Sequence, residues 1–585
     1  MRGRLALAVL SGALTFAAFP GVGAWPLAFV SWAPLLLAIE GVSLRRAALL
    51  GFVAGLVATL PGFRFLYPTL RAQSGFGPVA CALFVGCVAV YHALRGLVVG
   101  LVSRLDAPRA RREKPRAVPP PPTPAQPPAP SPEPLPAESP PPTSASAPAV
   151  SSQPAPADAA PTSASAPPTS AGAPPTSAGA APTSAGAPPA SAGPPSVLFI
   201  AGLVASEIAV PSLFPWFFGA SVHDVPLFLQ SAELGGPVAV SVVLALSSLA
   251  LAETLSALLV HRPTRPRVIV PALVIPIVAA FWGSLRIPEI DARTRAAPSL
   301  TAGIVQPNLP AVPEPVAVQR LRDASHELVG KGATLVVWPE GAVPWTLPAP
   351  LVEDAFAMLR APSVPLLTGA LVQGATPPVQ VTNSALLFDA GRLVGRYDKH
   401  HLLPFSESLP FESTFPGLRT LSPYSGNFAA GTSLAPLPLR GHPMAVFICY
   451  EDLFPGHVRA LNATGHAELL VNLTNDSWFS GTDELRVHLA LAKLRAVEQR
   501  KYLVRATLTG KSAIVDPVGR EIGTLGEDRE ATLLGEAHWL PGSTVYNRAG
   551  DVPWWLFVAG SLGYALSRNV RLRGAPRTRA PEPRP

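Results

Sequence analysis

Three short strings in the C-terminal half set reactive side chains directly after apolar runs. Val337-Trp-Pro-Glu340 ends on a carboxylate. Arg396-Tyr-Asp-Lys-His-His-Leu-Leu-Pro-Phe-Ser-Glu407 carries a lysine and then a second carboxylate. Phe447-Ile-Cys-Tyr-Glu-Asp452 ends on a thiol followed by two acids. Each has an ordinary reading when taken alone: a solvated turn, a surface lysine, a small core residue. Together in one domain they supply a base, a fixed cation and a nucleophile, the parts of acyl transfer through a thioester. The attacking species is a thiolate and a free thiol has a pKa near ~8.5, so Cys449 needs help to lose its proton. Glu340 is the candidate general base, provided that burial and Lys399 hold its carboxylate poised. Lys399 is the candidate partner of the oxyanion. Glu407 either orients Lys399 or the incoming amine, or serves as a structural ion-pair partner.

These residues need strands to hold them. Between about 298 and 548 short β-branched runs recur: Ala302–Gln306, Thr334–Trp338, Pro365–Gly369, Ser384–Phe388, Met444–Ile448, Glu468–Asn472, Leu503–Ala506 and Ser512–Val515. Asp483 to Arg500 places Leu485, Leu489, Leu494 and Val497 at near-helical spacing. Strands alternating with helices predict a layered α/β domain large enough for its own core.

The rest of the chain has a different composition. Over 585 residues, 48% are hydrophobic and only 14% charged, where a soluble domain has about a quarter charged. Apolar runs at about Leu5–Phe19, Trp25–Ile39, Ala47–Leu60, Pro78–Val102, Ser196–Phe218, Pro237–Val260, Val268–Trp282 and Pro553–Leu566 predict about eight transmembrane helices. The first, after Met1-Arg-Gly-Arg, has the look of a signal peptide, but the apolar runs behind it favour a retained helix. Arginines cluster in alternate loops, at Arg45 and Arg46, at Arg104 to Arg116, at Arg262 to Arg267 and after Arg568. The positive-inside rule then places both termini in the cytoplasm and residues 298–548 outside it. The net charge of +8 is therefore a topology signal, and no nucleic-acid partner is expected.

Residues from about 108 to 195 repeat Pro-Thr-Ser-Ala at 161, 168, 175 and 182. Proline in every repeat excludes a coiled coil, and a tract without large apolar side chains predicts a disordered cytoplasmic linker, either a tolerated insertion or a docking arm. The three cysteines, Cys81, Cys87 and Cys449, form no CxxC pair. Neither a disulfide framework nor a zinc site is expected, and no cofactor or metal.

Trp338-Pro-Glu340, Tyr397-Asp-Lys399 and Cys449-Tyr-Glu451 resemble the Glu-Lys-Cys motifs of the nitrilase superfamily. Within it, Asp398-Lys-His-His-Leu-Leu-Pro-Phe-Ser-Glu407, Asn475-Asp-Ser-Trp-Phe479, Phe214-Pro-Trp216 and Trp32-Ala-Pro-Leu-Leu-Leu37 resemble the apolipoprotein N-acyltransferases. Two strings depart from that pattern, Ala311-Val-Pro-Glu314 and Thr507-Leu-Thr-Gly-Lys511. The resemblance implies a membrane α-helical bundle joined to a nitrilase-like αββα sandwich. Its expected parts are helices one to four (1–104), linker (105–195), helices five to seven (196–285), extracytoplasmic catalytic domain (298–548), helix eight (552–568) and basic tail (569–585). It also implies Glu340, Lys399 and Cys449 as the catalytic triad, with Tyr450 and Glu451 shaping the pocket.

The implied reaction takes a fatty acyl chain from a phospholipid to Cys449 and then to the α-amino group of a diacylglyceryl-cysteine at a lipoprotein N-terminus. A multi-pass monomer in a bacterial inner membrane is expected, with its catalytic domain on the periplasmic side. Pro344-Trp-Thr-Leu-Pro and Phe411-Glu-Ser-Thr-Phe-Pro-Gly-Leu are read either as lids that dip into the interface or as core edges. Two other readings are a membrane-anchored amidase acting on a small C–N substrate and a scaffold that has lost catalysis.

Overall fold

The computed structural model describes residues 1–73, 78–105, 197–210, 214–261, 263–309, 314–358, 362–375, 379–409, 411–421 and 425–574. Nearly all of the expected linker and residues 575–585 of the tail lie outside them.

Among the described residues three helices are long and apolar enough to cross a membrane: Leu44–Gly62, Ala232–Leu259 and Pro266–Ala296. Arg2–Ala17, Pro78–Val102, Val197–Ile208 and Val552–Gly574 are further helices within the expected runs. The second and fifth runs differ from expectation. Trp25–Ile39 is a 3-10 turn, Trp25–Phe29, followed by a short helix, Ala33–Ile39. Pro26 and Pro34 each fall at a helix start, where the missing N–H costs nothing. In the fifth run the helix ends at Ile208, and Phe218–Val222 is a separate 3-10 turn. Helix Pro266–Ala296, with 31 residues, is about 46 Å long. That exceeds the ~30 Å hydrocarbon core, so its charged C-terminal part, Arg286 to Arg295, delivers the chain straight to the first strand. Helices Leu44–Gly62 and Pro78–Val102 pack closely because Gly51 and Gly96 face one another; a Cβ on either would collide with the other's carbonyl.

Two sheets build the second half. The strands, in chain order, are β1 (Ser299–Gln306), β2 (Leu335–Val337), β3 (Thr346–Pro348), β4 (Leu366–Gln373), β5 (Val381–Asp389), β6 (Arg392–Asp398), β7 (Leu437–Leu439), β8 (His442–Ile448), β9 (Leu469–Thr474), β10 (Leu503–Thr507), β11 (Ala513–Val515), β12 (Glu521–Thr524) and β13 (Ala531–His538). The first sheet runs β13-β1-β2-β4-β5-β6 with β3 alongside β4, and the second runs β12-β11-β10-β9-β8-β7. Side chains alternate across the first sheet. Leu335 and Val337 join Phe447, Leu470 and Val504 of the second sheet in one core. Val336 and Trp338 point the other way, into a second core with Leu321 and Leu328 of helix Glu314–Gly330. Helices Pro455–Gly465 and Glu484–Gln499 pack against the second sheet's end of the structure, so the order is helix, sheet, sheet, helix. All eight expected runs are strands.

Polar contacts fasten this domain to the helical half of the chain. Glu233 accepts from Arg286 Nε and Arg500 Nε, both at 2.8 Å. Lys493 Nζ donates at 2.9 Å to Asp224, in the turn that follows Phe218–Val222. Aromatic rings continue the link: Trp216 stacks on Phe19, Phe214 meets Phe65 edge-on, and Phe65 meets Phe479.

Candidate active site

Glu340, Lys399 and Cys449 sit at the ends of β2, β6 and β8, where loops from both sheets converge. Glu340 leaves β2 beside Gly369 of β4, and a Cβ at Gly369 would strike the Glu340 backbone. One oxygen of Glu340 accepts from Asn383 Nδ2 at 2.6 Å and from Lys399 Nζ at 3.3 Å; the other accepts from the Asn475 backbone N–H at 2.7 Å. The burial of this carboxyl raises its pKa above the ordinary range; Lys399 pulls the other way and the nearby Glu407 adds to the rise.

Lys399 is 1% exposed and is held by carboxylates on two sides. Besides Glu340 it donates to Glu407 at 2.9 Å. Burial alone would favour a neutral amine, but Glu340 and Glu407 more than offset it, and Lys399 stays an ammonium well above its usual range. Glu407 also accepts from Asn383 Nδ2 at 2.8 Å and from the Leu403 backbone N–H at 2.8 Å. The ion pair with Lys399 is common to both of its anticipated roles, orienting the lysine and serving as a structural partner.

Cys449 is buried, and its φ of 55° lies in the left-handed region. Non-glycine residues adopt that conformation when the surroundings force it, and such strain gathers at reactive turns. Burial and the Glu340 charge push the thiol well above its free pKa, while Lys399 opposes them. A proton therefore rests on sulfur until a base takes it.

Tyr450 donates its hydroxyl to the Leu402 carbonyl at 2.9 Å, and Lys399 Nζ lies 5.8 Å from its ring centre. Glu451 is a clamp. Its carboxylate accepts from the backbone N–H of Ile448 at 2.7 Å, His400 at 2.7 Å and His401 at 3.0 Å, and from the Tyr397 hydroxyl at 2.8 Å. Burial opposes its charge, but His457 and these N–H donors prevail and bring its pKa down to about 2. Glu451 thus ties the Cys449 turn to the Lys399 loop.

Sequence reasoning missed Asn383, whose single nitrogen bridges Glu340 and Glu407. The available signal was an asparagine just ahead of the apolar run Ala385–Phe388 in strand β5, where a buried amide needs partners. Of the two candidate lids, Pro344-Trp-Thr-Leu-Pro is a core edge: β3 pairs with β4 and Leu347 is buried. Phe411 and Phe415 are 73% and 62% exposed on the loop beyond Glu407.

Residues 301–538 match the Carbon-nitrogen hydrolase family, and residues 11–119 match the Apolipoprotein N-acyltransferase N-terminal domain. The chain is similar to three proteins called apolipoprotein N-acyltransferase. The one from Bradyrhizobium diazoefficiens is 37% identical over 253 residues, 42% of this chain and 47% of the relative; the match thus spans about half of that protein. The one from Geobacter metallireducens is 27% identical over 570 residues, 95% of this chain and 93% of the relative. The one from Vibrio vulnificus is 31% identical over 380 residues, 61% of this chain and 71% of the relative.

Proposed function

The chain belongs to the apolipoprotein N-acyltransferase family, and from that premise we propose that it moves a fatty acyl chain from a phospholipid, through a thioester on Cys449, to the α-amino group of a lipoprotein's N-terminal diacylglyceryl-cysteine. The observation that carries this reading is the convergence of a buried carboxylate, a buried ammonium and a strained thiol-bearing turn in a domain fastened to membrane helices.

In the first half-reaction Glu340 takes the Cys449 proton as sulfur attacks the ester carbonyl. The new C–S bond pushes the carbonyl electrons onto oxygen, and the oxyanion faces the Lys399 ammonium. Collapse of the oxyanion restores the carbonyl and breaks the bond between the acyl carbon and the glycerol oxygen. The proton held by Glu340 passes to the departing oxygen, and lysophospholipid leaves. In the second half-reaction the acceptor's amine attacks the thioester and gives a proton to Glu340. The C–S bond breaks, an amide forms, and the proton returns to sulfur. Glu407 and Asn383 hold Lys399 and Glu340 in register throughout. Fastening the domain to the bilayer keeps thiol and ester at one interface, which raises their effective concentration.

The same reading has about eight transmembrane helices, both termini in the cytoplasm, the catalytic domain on the periplasmic side of a bacterial inner membrane, and a monomer as the working unit. The relatives do not favour the amidase alternative. Mass spectrometry of the purified protein after incubation with phosphatidylethanolamine vesicles tests the chemistry directly. A fatty acyl mass on Cys449, removed by a diacylglyceryl peptide with a free amine, is the expected result. Release of free fatty acid to water without peptide acylation would make the protein a hydrolase.

A further inference from the structure

The turn that bears Cys449 has a second support besides Glu451. Asn472 lies on β9 in register with Phe447 of β8 and Arg505 of β10. Its Nδ2 donates to the carbonyl of Cys449 at 3.2 Å and to that of Phe447 at 3.3 Å. Its oxygen accepts from Arg505, which is fully buried. Arg505 also donates to Asp452 at 2.6 Å and to Asp476 at 3.0 Å. His488 closes the ring, with one nitrogen 3.0 Å from Asp476 and the other 2.8 Å from Asp452. Asp452 belongs to the same 3-10 turn as Cys449, residues Cys449–Leu453.

We propose that Arg505 and Asn472 are positioning residues for the nucleophile: a buried relay from the Arg505 guanidinium through the Asn472 amide to the Cys449 carbonyl fixes the left-handed turn that presents the thiol. A guanidinium suits this place because its planar fork reaches two carboxylates and an amide oxygen at once, which an ammonium cannot do with the same geometry. His488, bonded to a carboxylate at each nitrogen, balances the second acid. Burial and Arg505 disfavour its charge, yet Asp452 and Asp476 prevail and raise its pKa to about 9. Without the relay the Cys449 carbonyl loses its tie to β9, the strained φ relaxes, and the sulfur drifts from Glu340 and Lys399.

This inference rests on Cys449 being the nucleophile, and its test separates the two claims. Full-length Asn472→Ala, Asn472→Leu and Arg505→Lys proteins are compared with wild type in two assays, each normalised to folded protein by thermal melting. One is the rate of Cys449 alkylation by iodoacetamide, which needs no lipid; the other is thioester formation from phosphatidylethanolamine vesicles. Both Asn472 variants are expected to form thioester about a hundredfold more slowly, with KM for phospholipid unchanged and an altered alkylation rate. Arg505→Lys, which keeps charge but not the fork, should lose less. Lower melting temperatures with wild-type rates per folded molecule would reduce the relay to a structural bond and overturn the proposal. Wild-type protein that is alkylated but never acylated would instead overturn the acyl-transfer reading.

Discussion

Lys399 stands nearer to Glu407 than to Glu340, at 2.9 Å against 3.3 Å. The two carboxylates are therefore not equivalent. Each also takes one backbone N–H, Leu403 for Glu407 and Asn475 for Glu340, so the shorter ion pair is what makes Glu407 the closer counter-ion of the ammonium. Glu340 shares the cation at longer range and is pushed up in pKa by burial and by Glu407, which suits a proton acceptor.

Glu407→Gln checks that division. Removing a negative neighbour relieves the repulsion that raises the Glu340 pKa, and Lys399 then pairs with Glu340 alone. Both effects lower that pKa. Glu340 must be ionised to act as base, so the acid limb of the pH–rate profile should move to lower pH. The maximal rate should fall about a hundredfold as the base weakens. A limb that stays in place would separate Glu407 from the base.

The choice of cysteine has its own check. Cys449→Ser should end N-acylation and retain the fold, because a hydroxyl is far less acidic than a thiol and, in the proposed mechanism, Glu340 serves sulfur. Cys81 and Cys87 lie on helix Pro78–Val102, within the membrane half. Changing both to alanine should leave acyl transfer near wild type, and a large loss would point to the wrong nucleophile.

Buried strands are legible because a continuous apolar run has one economical outcome in a sandwich, and each such run here became a strand. β6 was not, since it forms one edge of the first sheet and shows only partial burial along Arg392–Asp398. Its residues read as chemistry before they read as structure. The triad candidates were legible because Glu, Lys and Cys stood next to those runs. Asn383 and the relay through Asn472 and Arg505 were not, because their value lies in pairing between strands distant in sequence. Nor does any residue type announce the left-handed φ of Cys449. The aromatic turns at Trp345 and Phe411 were indistinguishable until the pairing of β3 with β4 buried Leu347 and left Phe411 exposed.

Stability should fall on the alkaline side. His488 has its pKa raised from 6.5 to about 9; burial opposes the rise and Asp452 and Asp476 cause it. Glu484, one helical turn away, is raised from 4.5 to about 8, chiefly by burial. A group with a raised folded pKa stabilises the fold fully below its unfolded pKa, and that contribution is lost as pH climbs through the folded one. The window is therefore about pH 6.5 to 9 for His488, beneath which Glu484 has already begun to contribute its own loss from 4.5 upward. Melting temperature should drop across that range, and His488→Gln should flatten the upper part of the drop. An unchanged slope in the variant would remove His488 as the cause.

The last prediction concerns residues 105–195, which the proposed topology puts across the membrane from Glu340, Lys399 and Cys449. On that arrangement the Pro/Ala/Ser/Thr tract makes no contact with the chemistry. Loop closure is forgiving of length, each doubling costing about 0.6 kcal/mol, so shortening the connection should not strain the helices that it joins. Arg104 to Arg116 carry the positive charges that, on the proposed topology, keep this loop inside, and they are retained. Replacing the part after Arg116 with about fifteen Gly/Ser residues should thus preserve membrane insertion and acyl transfer, read as mass gain on a diacylglyceryl peptide. Inserted but inactive protein would give the tract a coupling role. Cleavage of the tract by a protease added only to the outer face would invert the topology, and the proposed side of the catalytic domain with it.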